Sequence, residues 1–265
     1  MRFKSLGSGS TGNATVVQST GGERGSLLID CGFGLRNLLA KLEKAGLRAE
    51  DLNAIFITHE HGDHIGCVQA LSSKYQIPVW MSAGTAEAMG FDSDKSTGGL
   101  DNTPSLLNVA YDGQTIDLGC LQITPFTVPH DAREPLQLSC TDGRVKLGVL
   151  TDLGHVTAHV LDHLANCQAL LLECNHDADL LTASAYPAFL KQRVGGSYGH
   201  LSNSQAAEIV QAVGHNRLGH VVAAHLSQQN NNPELVAHSL SQALKRGVNE
   251  VLIATADTGS PWLDV

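Results

Sequence analysis

The stretch FITHEHGDHIG, residues 56–66, packs three histidines and two acids into the six positions from His59 to His64. It follows an apolar run and precedes a helical pattern. Burying that many polar groups where a strand hands over to a helix is costly unless something compensates, and coordination of a metal ion is such a compensation. His59 and His61 are two apart at the end of an extended run, so their side chains leave the same face and can grip one ion. Asp63 and His64 fall where the helix begins and point in a different direction, which suits a second ion close by. A polar loop capping the helix through Asp63 would explain one residue and leave three imidazoles idle.

Further ligands for two ions should lie at the ends of other strands. Three residues do: His130 closes LQITPFTVPH, Asp152 closes VKLGVLTD and His225 closes HVVAAH. A carboxylate can bridge two ions through its two oxygens, which makes Asp152 the shared ligand. His59, His61 and His130 then serve one ion, and Asp63, His64 and His225 the other. A nitrogen and oxygen donor set without thiolate suits Zn2+, Mn2+ or Fe.

Around this motif, apolar or β-branched runs alternate with helical patterns. Strands are predicted over 2–6, 15–18, 27–30, 54–58, 78–82, 121–128, 146–150, 169–172, 220–224 and 250–254. Helices are predicted over 35–45, 65–75, 157–166, 203–213 and 233–246, the last two capped by Ser202 and Asn232. The stretch 91–104, FDSDKSTGGLDNTP, reads as a long loop or lid. No internal repeat or low-complexity tract is visible. The order of elements implies an α/β fold of two sheets with helices outside them, a four-layer αββα sandwich. A chain of 265 residues, 42% of them hydrophobic, can form it as a single domain, 1–265.

Composition narrows the partners. The opening MRFKSLGSGS has no apolar h-region, and no uncharged apolar run approaches roughly 18 residues, so the expectation is a cytoplasmic protein with no membrane partner. The six cysteines stand singly in apolar stretches and read as reduced core thiols. A net charge of −9 opposes long-range attraction to nucleic acid, so an anionic substrate must be drawn in by a local feature. Two divalent ions set against Asp63, Asp152 and a hydroxide provide one, a net charge of about +1. Arg133, just past His130, is either a bidentate phosphate contact or a solvated surface arginine. The Gly-rich stretch 7–13, with Ser8 and Asn13, either presents backbone N–H groups to a phosphate or forms a tight turn lining the site. His155, His159 and His163 are spaced by four along a predicted helix but read as an exposed face, because no carboxylate or strand end joins them. Nothing in the sequence sets an oligomeric state.

The HEHGDH run matches in full the HxHxDH signature of the metallo-β-lactamase superfamily, and the chain resembles that family from LLIDCG (27–32) to AAHLS. The resemblance implies the αββα fold of the metallo-β-lactamase type and a supporting role for Asp30 behind the ligands. Thioesterase and lactamase branches carry the third histidine in a GHT segment, where this chain has VPHDAREP, which counts against thioesters and β-lactams. LLLEC (170–174) and GHLSNSQAAEIV (199–210) resemble the RNase Z branch. Carried over, Glu173 orients His200, and His200 protonates a leaving oxygen. The spans between His130, Asp152 and His225 are too short for a tRNA-gripping arm or a nucleic-acid-clamping domain.

The most extensive resemblance is to the YycJ/WalJ-like metallo-hydrolases, through SLGSGSTGN, LLIDCGFG, PHDA, TDLG, NHD and HLSQQNNNPE, the last two carrying His176 and Asn231 as candidate substrate contacts. It implies a dinuclear-metal hydrolase of phosphodiesters, a DNA exonuclease or related nuclease. Hydrolysis of small phosphodiesters or of thioesters, and a metal-bound regulatory module without turnover, are the alternatives.

Overall fold

The computed structural model describes residues 1–21, 25–91 and 106–265. One seven-stranded sheet has the order β14-β1-β2-β3-β4-β5-β6. Its strands are β1 (Arg2–Gly7), β2 (Ala14–Gln18), β3 (Ser26–Ile29), β4 (Ala54–Phe56), β5 (Val79–Met81), β6 (Leu107–Val109) and β14 (Leu263–Asp264). The other has the order β13-β12-β11-β10-β9-β8-β7. It contains β7 (Ile116–Asp117), β8 (Gln122–Thr127), β9 (Leu136–Thr141), β10 (Lys146–Leu150), β11 (Ala169–Glu173), β12 (His220–Ala224) and β13 (Leu252–Ile253). Both sheets are mixed: β3-β4-β5-β6 and β10-β11-β12-β13 pair in parallel, and the remaining pairs are antiparallel.

The central strands read as continuous apolar runs because both of their faces are covered. Alternate residues go to different layers. Leu27 and Ile29 of β3, and Leu147 and Val149 of β10, meet between the sheets with Phe3, Phe56, Leu171 and Val222. Leu28 faces outward with Leu38, Leu42 and Leu71, from helices α1 (Leu35–Lys44) and α3 (Val68–Tyr75). Across the molecule Leu170, Leu172 and Val221 pack outward with Val160, Ile209 and Leu240, from α5 (Ala158–Leu164), α8 (Asn203–Val213) and α9 (Pro233–Leu244). Three apolar layers between four layers of elements make the αββα sandwich. Ser202 and Asn232 cap α8 and α9 as expected, accepting from the N–H groups of Gln205 and Leu235.

Several local expectations change. The helix predicted over 65–75 is two helices, α2 (Gly62–Ile65) and α3. Gly66 separates them, with φ 18°, where a Cβ would lie 2.4 Å from the Cys31 carbonyl. Strands β7 and β14 are only two residues long, too short for any alternation to show, and the strand predicted over 250–254 is shortened to β13. In β9 the polar Gln137 breaks the apolar pattern, yet it is buried and accepts from the Thr151 N–H at 3.1 Å. Three short helices, α4 (Ala83–Ala88), α6 (Ala178–Ala183) and α7 (Ala188–Val194), also had no periodic signal. Apart from Phe91, the expected loop at 91–104 lies outside the described residues. No helix among the described residues is long and apolar enough to cross a membrane.

Candidate metal centre

The HEHGDH loop leaves the end of β4 and is pinned from below by the exit of β3. The Cys31 and Asn13 N–H groups donate to the His64 and Asp63 carbonyls at 2.7 and 2.8 Å. Gly32 makes that approach possible, since a Cβ there would stand 1.7 Å from the Asp63 carbonyl oxygen. His130 follows β8, Asp152 follows β10, Glu173 ends β11, and His225 follows β12 with φ 56°. The sequence-predicted ligands therefore meet at the C-terminal ends of strands from both sheets.

Each of six imidazoles turns one nitrogen outward to an oxygen acceptor. His59 Nδ1 donates to Thr58 Oγ1 (3.0 Å), whose own hydroxyl donates to Asp30. His64 Nδ1 donates to Asp30 Oδ2 (2.8 Å), His130 Nδ1 to the Gly199 carbonyl (2.9 Å) and His61 Nε2 to the Asp131 carbonyl (3.2 Å). His225 and His200 both donate from Nδ1 to Glu173 Oε1, at 3.2 and 2.7 Å. In the five ligand rings such acceptors set the tautomer in which the inner nitrogen can offer its lone pair to an ion.

The inner atoms converge in two overlapping sets. The ligand atoms of His59, His61 and His130 lie within 4.8 Å of one another, as do those of Asp63, His64 and His225. Asp152 stands between the sets, with Oδ2 3.2 Å from His64 Nε2 and Oδ1 3.9 Å from His130 Nε2 and 3.4 Å from the outer nitrogen, Nδ1, of His225. Asp152 Oδ2 is buried and makes no hydrogen bond, while His59 Nε2 and His61 Nδ1 face each other at 3.0 Å. Lone pairs aimed at one another beside an orphaned carboxylate oxygen fit cations better than any arrangement of shared protons. The donor set suits two divalent ions.

Electrostatics agree with that reading. His59 is held well below the ordinary histidine range, first by burial and then by His64, His130 and His61. For His225 burial also acts downward, but Asp152 and hydrogen bonds with Asp63 and Glu173 overcome it and hold the ring up to about 10. His64 is raised in the same way, by Asp152 and Asp30 against burial. Burial pushes Asp63 upward, yet hydrogen bonds from His225 and His64 prevail and hold its carboxyl far below the usual range. Without ions, protons on His64 and His225 balance the carboxylates. Bound ions would displace them.

The centre opens into a cleft of about 360 Å³ whose walls include His61, Asp63, Asp152, His200 and His225. Tyr186 and Arg193 stand on its rim, Arg193 Nε donating to Asp131 Oδ2 at 2.6 Å. Sequence reasoning missed these three residues; Tyr186 and Arg193 come from the α6–α7 segment, which shows no periodicity, and Asp131 sits in a turn beside His130. Ser8 and Asn13 reach the centre as supports. Ser8 Oγ accepts from the His225 N–H (2.8 Å), and the Asn13 amide donates to Asp63 Oδ2 (3.2 Å). Their polar side chains thus face protein groups, and the tight-turn reading describes them better than a phosphate cradle. Three other candidates lie off the cleft. Arg133 pairs with Glu87 at 2.7 Å on the surface, Asn231 exchanges amide hydrogen bonds with Asn203, and His176 is buried beside Ser202.

A two-sheet αββα sandwich with a histidine-lined centre at its strand ends defines a class, and the chain belongs to it: the beta-lactamase superfamily domain matches residues 26–225, in its metallo-β-lactamase form. Within that class the chain is 33% identical over 253 residues to "Exodeoxyribonuclease YycJ" of Bacillus anthracis, covering 94% of this chain and 92% of that protein. It is 32% identical over 270 residues to "Exodeoxyribonuclease WalJ" of Streptococcus pneumoniae, covering 100% of this chain and 98% of that one. The crystal structure of the metallo-beta-lactamase fold protein YhfI from Bacillus subtilis superposes with a TM-score of 0.75 at 21% identity, covering 99% of both chains.

Proposed function

We propose that the chain is a dinuclear-metal phosphodiesterase that removes nucleotides from DNA ends. The observation that carries this reading is His200, which lines the cleft beside the ligand sets yet donates its Nδ1–H to the buried Glu173. Burial alone would lower its pKa, but the Glu173 carboxylate and that hydrogen bond raise it. That shift favours the protonated ring, whose Nε2–H, with no partner among the described residues, is free to reach a leaving oxygen. A phosphodiester has a poor alkoxide leaving group that needs this proton; a thioester does not.

His59, His61 and His130 would hold one ion, Asp63, His64 and His225 the other, with Asp152 shared between them. Two such ions act as Lewis acids toward a phosphoryl oxygen and lower the pKa of water enough to supply a nucleophile at neutral pH. Zn2+ or Mn2+ suits the nitrogen and oxygen donors, and Fe is compatible with them. Asp30, Thr58 and Glu173 keep the imidazoles in the ligating tautomer. The volume of the cleft is at the low end for ligand pockets, which suits one nucleotide at the centre. The relatives named exodeoxyribonuclease, matched over 94% and 100% of this chain, support DNA as the substrate.

The test is a substrate panel on metal-loaded protein: single- and double-stranded DNA with labelled ends, circular DNA, RNA, a small nitrophenyl phosphodiester and a thioester. Linear DNA should be shortened from an end while circular DNA survives. Faster turnover of the thioester than of every phosphodiester would overturn the proposal.

A further inference from the structure

We propose that Asp112, His159 and His163 form a separate binding site for a divalent transition-metal ion, beside the outer face of the second sheet. Two of these histidines were set aside in the sequence for want of a carboxylate partner. The fold supplies one from a distant segment. Asp112, in the turn between β6 and β7, brings Oδ1 to 2.8 Å from His159 Nε2. His159 and His163 are one helical turn apart on α5, so they present their rings to the same side, with centroids 4.7 Å apart. One ligand atom from each of the three residues lies within 4.8 Å of the others. His155 does not join them, because its Nδ1 donates to the Ser197 carbonyl at 2.7 Å.

The positions are held in place before any ion arrives. Asp112 Oδ1 accepts from the Thr127 N–H at 2.7 Å, which fixes the carboxylate against β8. His163 stacks on Phe126 with centroids 4.8 Å apart and an angle of 17°. Val160 and Leu164, on the same helix, are buried in the outer core. Pre-organised ligands of this kind lose little freedom on binding. The donors are two imidazoles and one carboxylate, a set that suits Zn2+, Co2+, Ni2+ or Cu2+ and leaves the remaining coordination positions to water. An ion there would replace the proton now shared between His159 and Asp112, and would staple α5 to the β6–β7 connection. None of the three residues belongs to the catalytic centre.

The test compares wild type with the His159→Gln/His163→Asn double variant and with His159→Gln alone. Each is dialysed against buffered free zinc and its metal content per chain is counted. The wild type should retain one ion more than either variant, whatever number the centre itself holds. Added zinc should raise the melting temperature of the wild type further, and hydrolysis should be equal in all three. His159 is exposed, so the single variant keeps the test decisive if loss of the His163 stack impairs folding of the double. Equal metal content in wild type and His159→Gln, or an identical thermal response to zinc, would overturn the proposal.

Discussion

The two sheets share one ground plan but contribute to the centre differently. Each runs through antiparallel pairings and then parallel ones, and β3 and β10 hold the same position where the direction changes. Both strands end in the pattern Asp-x-Gly, as Asp30-Cys31-Gly32 and Asp152-Leu153-Gly154. In each the glycine admits a carbonyl where a Cβ would collide: that of Asp63 at 1.7 Å from position 32, and that of Ser197 at 2.2 Å from position 154. The aspartates differ in use. Asp30 stands behind His64 and orients it, whereas Asp152 faces the inner atoms directly. The first sheet delivers four donors from one loop, and the second delivers its donors singly, from the ends of β8, β10 and β12, with Glu173 at the end of β11 behind them. A contiguous loop makes a metal-holding unit, while dispersed strand ends add the shared carboxylate and the Glu173–His200 pair that acts on substrate.

The largest expected effect attacks the first half. Asp63→Asn removes a charge that the His64 and His225 rings approach at 3.5 and 3.4 Å. Metal content should fall and hydrolysis should drop on the order of 10³-fold or more. The circular dichroism spectrum should stay the same, because Asp63 belongs to none of the apolar layers. Full activity with one ion per chain would break the comparison, since the loop would then hold only half of what it is assigned.

A smaller effect separates the second half's two duties. His200→Ala should keep both ions yet slow DNA cleavage by on the order of 10² to 10⁴. The loss must depend on the leaving group. Nitrophenolate departs without a proton, so a bis-nitrophenyl phosphodiester should be cleaved almost as fast as by wild type. Equal losses on both substrates with full metal content would make His200 a positioning residue and leave the second half only its carboxylate.

The same contrast explains what could be read from the sequence. HEHGDH is legible because all its polar groups sit within one turn of chain, where no core or surface reading accounts for them. His130, Asp152 and His225 are legible only as polar residues closing apolar runs, which required the strands to be recognised first. The layered fold follows from those long central strands, whereas the two-residue edge strands β7 and β14 carry no pattern. The repeat escaped notice because it lies in strand order and in one Asp-x-Gly, not in extended similarity. Arg193, Tyr186 and Asp131 owe their place to tertiary packing alone. Asp112 met His159 for the same reason, which is why the histidine run on α5 looked partnerless.

The smallest expected effect is on stability and sharpens how the halves are balanced in the absence of metal. His225 is held up to about 10, and His64 and His200 are also raised, chiefly by Asp152 for the first two and by Glu173 for the third, against burial. In the unfolded chain such rings titrate near 6.5. A raised value in the folded state means that their stabilisation is complete below about pH 6.5 and is lost as pH climbs toward their folded values. Asp63 and Glu173 behave oppositely. Both are depressed, Glu173 to about 2, by hydrogen bonds and charges from these rings that outweigh burial, so their contribution is present above roughly pH 4.5 and fades as pH falls through the folded values. His59 and His130 are held below the ordinary range, first by burial, so their contribution grows as pH rises toward about 6.5. The metal-stripped protein should therefore melt highest near about pH 6 and lose several degrees by about pH 9. Metal-loaded protein should show no such decline, because ions displace the protons and take over the balance of charge. Melting curves at about pH 6 and 9, with and without chelator, compare the two. A stripped protein that gains stability over that interval would mean that His64, His225 and His200 do not hold protons against Asp63, Asp152 and Glu173, and the two halves would have to be balanced by some other arrangement of charge.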